Sequence, residues 1–310
     1  MENFEPILRQ NMEMLTYLVF FGLIIGLGLL ETIVALRNHG AERARRWPAN
    51  WGLTVLNIIV MSILPLTALT ASDIARDNGW GLFWLVDLPF AVVLVGGFAI
   101  RSLVSWATHY AMHNVPVLWR VHRVHHTDTH LDVSTTVRFH PLETVISAPF
   151  VIATVMLFGI PPVVIMLFEL FDAAIAVFSH ANMCMPRWLE RTLGMVIITP
   201  HLHWIHHSTA VRETNSNYGA TLICWDMLFG TYRRKDAEEL PGQALGLKEV
   251  QDRRATSLWY LLTLPFRPAR LKALAQSVAC EAERDKAESP DAIGSERSLS
   301  SHSRNPEGLQ

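Results

Sequence analysis

The chain has only three cysteines in 310 residues, Cys184, Cys224 and Cys280, and no two of them form a C-x-x-C pair. That excludes a disulfide framework, a zinc ribbon and an internal iron–sulfur cluster. Charge is scarce as well. Only 17% of the residues are charged and the mean hydropathy is +0.24, too apolar for an ordinary soluble domain, so the chain is expected to sit in a membrane. The charges nearly cancel, Lys+Arg 26 against Asp+Glu 28 for a net −2, and no RNA or DNA motif is present, so nucleic acid is not an expected partner. G-x-G-x-x-G, the P-loop and H-E-x-x-H are absent too, which removes the dinucleotide, nucleotide and common zinc-hydrolase fingerprints. The residue in excess is histidine, at 14.

Long apolar runs supply the membrane reading. Met14 to Leu30 is uncharged for 17 residues and the apolar pattern continues to Leu36, close to the roughly 20 residues a helix needs to cross the hydrocarbon core. The preceding residues, Glu2, Glu5, Arg9 and Glu13, are mainly acidic and no small-residue cleavage site follows, which disfavours a signal peptide. Two further spans are expected over 51–72 and 79–100, the second interrupted only by Asp87 and closed by Arg101. The stretch 144–179 would run about 54 Å as one helix, against a bilayer core of about 30 Å. Gly159, Pro161 and Pro162 near its middle break the helical ladder, so it reads as a helical hairpin that enters and leaves on one side. Glu169 and Asp172 in its second arm are expected to face protein or water rather than lipid.

Arg37, Arg43, Arg45 and Arg46 flank or fill the loop after the first span, and the positive-inside bias assigns that loop to the cytoplasm. Counting crossings places the N-terminus outside and everything polar after residue 180 in the cytoplasm. Ser257 to Phe266 is too short to span and reads as an interfacial apolar patch. The expected organisation is an integral membrane domain over 1–276 and a disordered polar tail over 277–310. The fold class is all-α: a polytopic membrane helix bundle with a cytosolic, helical, histidine-rich metal-binding cap.

Twelve of the 14 histidines fall between His109 and His207. His109 and His113 are four apart; His122, His125 and His126 form H-x-x-H-H, and His203, His206 and His207 repeat it. Positions three and four apart share a helix face, so each group over 109–126 and 203–207 can aim imidazoles at one point. Imidazole suits zinc, iron, copper and nickel, so ligand type does not name the metal. Number says more: eight histidines would serve two adjacent ions, four each, with positions left open.

The segments HYAMH, WRVHRVHH and HWIHHS, followed by NYGATLICWDMLFGTY, resemble the fatty acid hydroxylase and sterol desaturase superfamily of integral membrane di-iron oxygenases. The resemblance runs from about Ser105 to Tyr232. It implies two irons held by histidines at the cytosolic membrane surface, and O2-dependent hydroxylation or desaturation of a lipid substrate, whether fatty acyl, sterol-like, carotenoid or aminolipid. Zinc can replace iron in recombinant material. Carried over position by position, the resemblance makes His109, His113, His122, His125, His126, His203, His206 and His207 the metal ligands. It adds His140 in RFHPLE and His180 in FSHAN as further candidates. His201 and His130 have a weak case, and His39 and His302 lie outside the cluster.

Asn217, Tyr218, Gly219, Trp225, Asp226, Gly230 and Thr231 fit the family's C-terminal signature. Asp226 is a candidate acceptor for a ring N–H of a metal-bound histidine, with helix capping as its ordinary alternative. Asn217, Asp128, Asp132, Glu143, Asp172 and Glu213 are further candidates for that supporting role, and Arg120, Arg123 and Arg138 for contact with lipid headgroups. With no redox-cofactor motif in the sequence, an external electron donor is implied, a ferredoxin or a cytochrome with its reductase. The competing reading is a membrane metal-binding or metal-transport protein without oxygen chemistry. A zinc hydrolase is a weaker one, since eight histidines exceed its need.

Overall fold

The computed structural model describes residues 4–38 and 42–267. His39, His302, Cys280 and the tail expected over 277–310 lie outside the described residues. The described chain is helical, with only isolated bridges such as Ile197 to Leu222 between extended residues. In order, the helices are α1 (Phe4–Leu30), α2 (Glu42–Ile63), α3 (Ala68–Asn78), α4 (Leu82–Leu85), α5 (Phe90–Asn114), α6 (Pro116–His122) and α7 (Pro141–Phe158). They continue with α8 (Pro162–His180), α9 (Arg187–Leu193), α10 (Pro200–His206), α11 (Val211–Thr214), α12 (Cys224–Leu228) and α13 (Leu258–Thr263).

Five helical segments are long and apolar enough to cross a membrane: Glu5–Leu30, Glu42–Leu85, Phe90–Asn114, Pro141–Phe158 and Pro162–His180. They present Leu18, Ile25, Ile58, Val95, Phe150 and Leu157 outward, an apolar perimeter that a water-soluble monomer would not carry. The chain is a multi-span membrane bundle. Its apolar core, built on Leu8, Ala71, Val93, Val155, Ile160 and Val164, lies at one end, and the histidines collect at the other.

The expected boundaries shift in three places, each for a local reason. The first span starts at Phe4 instead of residue 14, because its early charges are matched: Arg9 forks onto Asp73 at 2.7 and 2.9 Å, and Arg76 Nη1 reaches Glu5 at 3.1 Å. It stops at Leu30 instead of 36, because buried Glu31 turns to accept the backbone N–H groups of Val133 (3.0 Å) and Asn182 (2.7 Å). The stretch 51–72 is not one helix. Pro65 has no N–H and disfavours helix in the residue before it, so α2 ends at Ile63 and α3 restarts behind the Thr67 cap. The third span runs over 90–114 instead of 79–100: Gly79 is a left-handed cap and Pro89 precedes α5. Arg101 therefore does not close that helix. It is buried within α5, its guanidinium 4.8 Å from the Phe168 ring centroid.

The hairpin expected over 144–179 is present as α7 and α8, turning at Gly159–Pro161 and returning to the histidine end. Gly159 and Gly81 both have positive φ, and a Cβ on Gly81 would stand 2.1 Å from Gly159 N, so neither position admits a side chain. The segment 257–266 is only partly an outward patch. Leu261 and Leu264 pack with Ala49, Leu53 and Val124, while Trp259 and Phe266 stay exposed.

At the histidine end, α2 is tied to the loop after α6 by buried charge. Arg46 binds Asp128 at 2.5 and 2.8 Å and Asp132 at 2.9 Å. Arg138, also fully buried, donates to Thr127 Oγ1 (2.7 Å), Asn50 Oδ1 (2.6 Å) and the Ala255 carbonyl. Removing one member of such a network strands the others without water. Arg46→Met is expected to destabilise the protein by about 3–5 kcal/mol, seen as a lower unfolding temperature by circular dichroism in detergent; an unchanged temperature would contradict the assignment.

Candidate metal centre

Two groups of imidazoles form where α5, α6, α8 and α10 meet. His109, His113, His122, His126 and His206 make one; His125, His180, His203 and His207 make the other. Within each group one nitrogen per ring lies within 4.8 Å of all the others. The sequence motifs do not map one to one onto these groups. Successive residues on a helix point about 100° apart, so neighbouring histidines cannot aim at one point. His125 and His126 go to different groups, as do His206 and His207. The expected division of four and four becomes five and four, with His180 from the end of α8 joining the second. The His126 and His207 rings stack at 4.4 Å between centroids, so the groups share a wall.

Backbone and side-chain acceptors fix which ring nitrogen faces inward. The Nδ1 of His109 donates to the Tyr218 carbonyl at 2.7 Å, that of His206 to Ser216 at 2.7 Å, and that of His180 to Ala176 at 2.7 Å. His122 Nδ1 donates to Glu143 Oε1 at 2.8 Å. A carbonyl or carboxylate can only accept, so each Nδ1 carries the proton and each neutral ring turns a bare Nε2 inward. His109 and His122 then hold two lone pairs 3.1 Å apart. In the second group His180 Nε2 is 3.2 Å from His125 Nε2 and 3.0 Å from His203 Nε2, and His203 to His207 is 3.1 Å. Nitrogens bound at about 2.1 Å to one ion stand about 3.0–3.4 Å apart at octahedral or tetrahedral angles. The spacing matches a metal's donor set. Nε2 of His113, His126 and His206 is buried with no hydrogen-bond partner among the described residues, as donors reserved for a cation would be.

Burial keeps the rings neutral. Desolvation, reinforced by neighbouring imidazoles, lowers the pKa of His125, His126, His203 and His207 well below the usual histidine range. For His206 burial brings it down to about 3 even against the Ser216 hydrogen bond. Neutral imidazole is the metal-binding form. Two all-nitrogen groups sharing a wall are consistent with a di-iron centre.

The remaining candidates fall elsewhere. His140 is outside both groups: its Nδ1 caps α7 by accepting Leu142 N–H at 3.1 Å, and Nε2 faces the Leu262 carbonyl at 3.2 Å. His130 lies beside Thr129 Oγ1 at 3.0 Å, and buried His201 faces Glu190. Asp226 bonds no histidine among the described residues. It accepts from Trp106 Nε1 (3.1 Å), the Tyr218 and Gly219 N–H groups (2.8 and 2.7 Å) and Thr231 Oγ1 (2.6 Å), which fixes the loop whose Tyr218 carbonyl orients His109. Asn217, left-handed at φ 52, bonds Leu202 O and Arg233 O at 3.0 and 2.9 Å, holding α10 to the following strand of chain. Asp128 serves Arg46. Burial alone would raise its pKa, but the Arg46 and Arg138 charges hold it well below the carboxylate range. Asp132 shares that arginine, Glu213 pairs with Lys235 at 2.6 Å, and Asp172 sits in α8 facing Arg101.

Of the proposed supporting carboxylates, Glu143 alone bonds a ring of either group among the described residues. Arg123 and Arg138 do not meet headgroups, because both are buried on backbone carbonyls of the 255–267 segment. Ala176, Ser216 and Tyr218 were invisible as ring acceptors in the sequence, since any residue type supplies a carbonyl.

A family profile described as fatty acid hydroxylase matches residues 94–231. The chain is 34% identical to the ornithine lipid hydroxylase OlsE of Rhizobium tropici over 152 residues, 48% of this chain and 44% of that one. It is 26% identical to human alkylglycerol monooxygenase over 228 residues, 70% of this chain and 48% of the other. To a cholesterol 25-hydroxylase-like protein of Danio rerio it is 28% identical over 239 residues, 74% and 90% of the two chains. The chain therefore spans less than half the length of the first two. No solved structure matches it.

Because Glu143 fixes the His122 ring, Glu143→Ala is expected to weaken metal binding by roughly 10–100-fold, read as metal retained against graded chelator. Glu213→Ala is the control. Equal retention by both variants would remove Glu143 from this role.

Proposed function

The chain belongs to the fatty-acid-hydroxylase/sterol-desaturase-like family of histidine-motif membrane proteins, and from that premise we propose that it is a di-iron oxygenase acting on a C–H bond of a membrane lipid. Hydroxylation is the primary reading; desaturation begins with the same hydrogen abstraction. The observation that carries the proposal is the pair of buried imidazole groups, whose ring nitrogens converge at metal-donor spacing. His109, His113, His122, His126 and His206 would hold one iron, and His125, His180, His203 and His207 the other. When bound, the irons supply with O2 the oxidising power that an unactivated C–H bond demands.

The protein's part is to hold and to exclude. The Tyr218, Ser216 and Ala176 carbonyls and Glu143 lock the tautomers of His109, His206, His180 and His122, and eight of the nine histidines are buried, so water is kept from the reacting centre. Lipid access is supported by an apolar groove of about 360 Å³ between α5 and α7, lined by Val104, Thr108, Met112, Ile146 and Phe150. Thr108 and Met112 are chain neighbours of His109 and His113. Two of the relatives are named for ornithine lipid and alkylglycerol and a third as cholesterol 25-hydroxylase-like, all molecules with a polar head and an apolar body, which favours an amphiphilic lipid here. The positive-inside bias supports a cytoplasmic histidine end, since Arg37, Arg43, Arg45 and Arg46 gather there. Converting R–H and O2 to R–OH and water consumes two electrons and two protons, so a ferredoxin, or a cytochrome with its reductase, completes the reaction.

Cells expressing the protein are expected to gain lipids heavier by one oxygen atom, or lighter by two hydrogens for desaturation, when profiled by mass spectrometry against cells without it. His125→Ala and His206→Ala should abolish that product and lower the iron content of anaerobically purified protein. Full product formation by either variant, or metal flux without O2 uptake by the wild type, would overturn the proposal.

A further inference from the structure

α10 has a second working side. His203 and His206 look into the metal centre, whereas His201, Leu202 and Ile205 help to wall a separate cavity of about 570 Å³, within the size range of small-ligand sites. Its inner wall holds two buried polar residues, Glu190 and His201, whose side chains are 10% and 8% exposed. Glu190 Oε1 accepts from Thr199 Oγ1 at 2.5 Å. Glu190 Oε2 and His201 Nε2 are buried with no hydrogen-bond partner among the described residues. Such atoms cost free energy unless something fills their bonding positions.

The rim is of mixed sign, with Asp236, Glu238 and Glu239 among four basic side chains. Arg187 and Lys235 are already paired, with Glu238 and Glu213. Arg191 and Arg234 are exposed and line the same cavity, and neither forms an ion pair among the described residues; Arg234 lies over the Tyr232 ring at 5.9 Å. A bare anion on those arginines would leave the Glu190 carboxylate facing it without a donor. A bare cation on Glu190 would leave Arg191 and Arg234 without an anion, and an apolar ligand would leave both buried atoms unmet.

We infer that this cavity binds a small zwitterionic group, its phosphate or carboxylate on Arg191 and Arg234 and its ammonium on Glu190. The site is distinct from the metal centre and stands whether or not the oxygenase reading does. Because Leu202 and Ile205 belong to the helix that carries His203 and His206, an occupant would also brace that helix.

The test is calorimetric titration of the full chain in detergent with O-phosphoethanolamine and with ethyl phosphate, which keeps the anion but lacks the ammonium. Wild-type protein is expected to bind phosphoethanolamine about tenfold or more tightly than ethyl phosphate, the effect of one charge-assisted hydrogen bond. Removing both exposed arginines, in R191A/R234A, should weaken both probes by a similar factor. Glu190→Gln should abolish the preference for phosphoethanolamine and bind ethyl phosphate at least as tightly as the wild type does, which also shows that the variant is folded. Equal wild-type affinity for the two probes, or no binding of either at millimolar concentration, overturns the inference. Repeating the titration in nanodiscs identifies the source. Weaker binding in phosphatidylethanolamine than in phosphatidylcholine discs points to a lipid headgroup, and equal binding to a soluble zwitterion.

Discussion

Bare imidazole lone pairs brought within about 3 Å of one another are the constraint on which the rest of the structure depends. His109 and His122 each give their Nδ1 proton to an outside acceptor, so nothing but a cation relieves the contact between their inward nitrogens. His180 likewise gives its Nδ1 proton to Ala176 and turns a bare Nε2 between His125 and His203. Such a cluster destabilises a fold that lacks its ion, and in return it offers the ion a site already desolvated and oriented. Folding and metal binding are thereby coupled, as in other sites whose ligands must be held deprotonated.

Much of the architecture can be understood as support for that contact. The bundle delivers donors from separate helices: α5 brings the first pair, α6 and the turn after it the next three, α8 contributes His180, and α10 the last motif. The acceptors behind His109, His122 and His206 come from other parts of the chain, Tyr218, Glu143 and Ser216, so those imidazoles are held from two directions. Behind them lies the Arg46, Asp128, Asp132 and Arg138 network, charge placed where apolar residues would pack as well. Its role here is positional: it ties α2 to the loop that carries His125 and His126, and through Ala255 it ties that loop to the segment before α13.

The parts of this that were legible in the sequence are those with a period or a repeat. Apolar runs announce spans, Gly159 with Pro161 and Pro162 announces a hairpin, and repeated H-x-x-H-H announces clustered donors. Span boundaries were less legible because they depend on distant partners. The start of α1 rests on Asp73 and Arg76, and its end on the N–H groups that Glu31 finds at Val133 and Asn182. His180 lies outside the three spaced histidine motifs, and its place beside His125 comes from the packing of α8. His140 was the other candidate beyond the eight, and the geometry of the α7 terminus gives it a capping role. The division of adjacent histidines between two groups follows from helix geometry alone and was within reach of the sequence.

The central claim is that two metal ions sit in these two imidazole groups, and anomalous diffraction at the iron edge from crystals of anaerobically purified protein tests it most directly. The account predicts two peaks, one inside the group of His109, His113, His122, His126 and His206, the other inside the group of His125, His180, His203 and His207. A single peak, or peaks lying away from both groups, would contradict it.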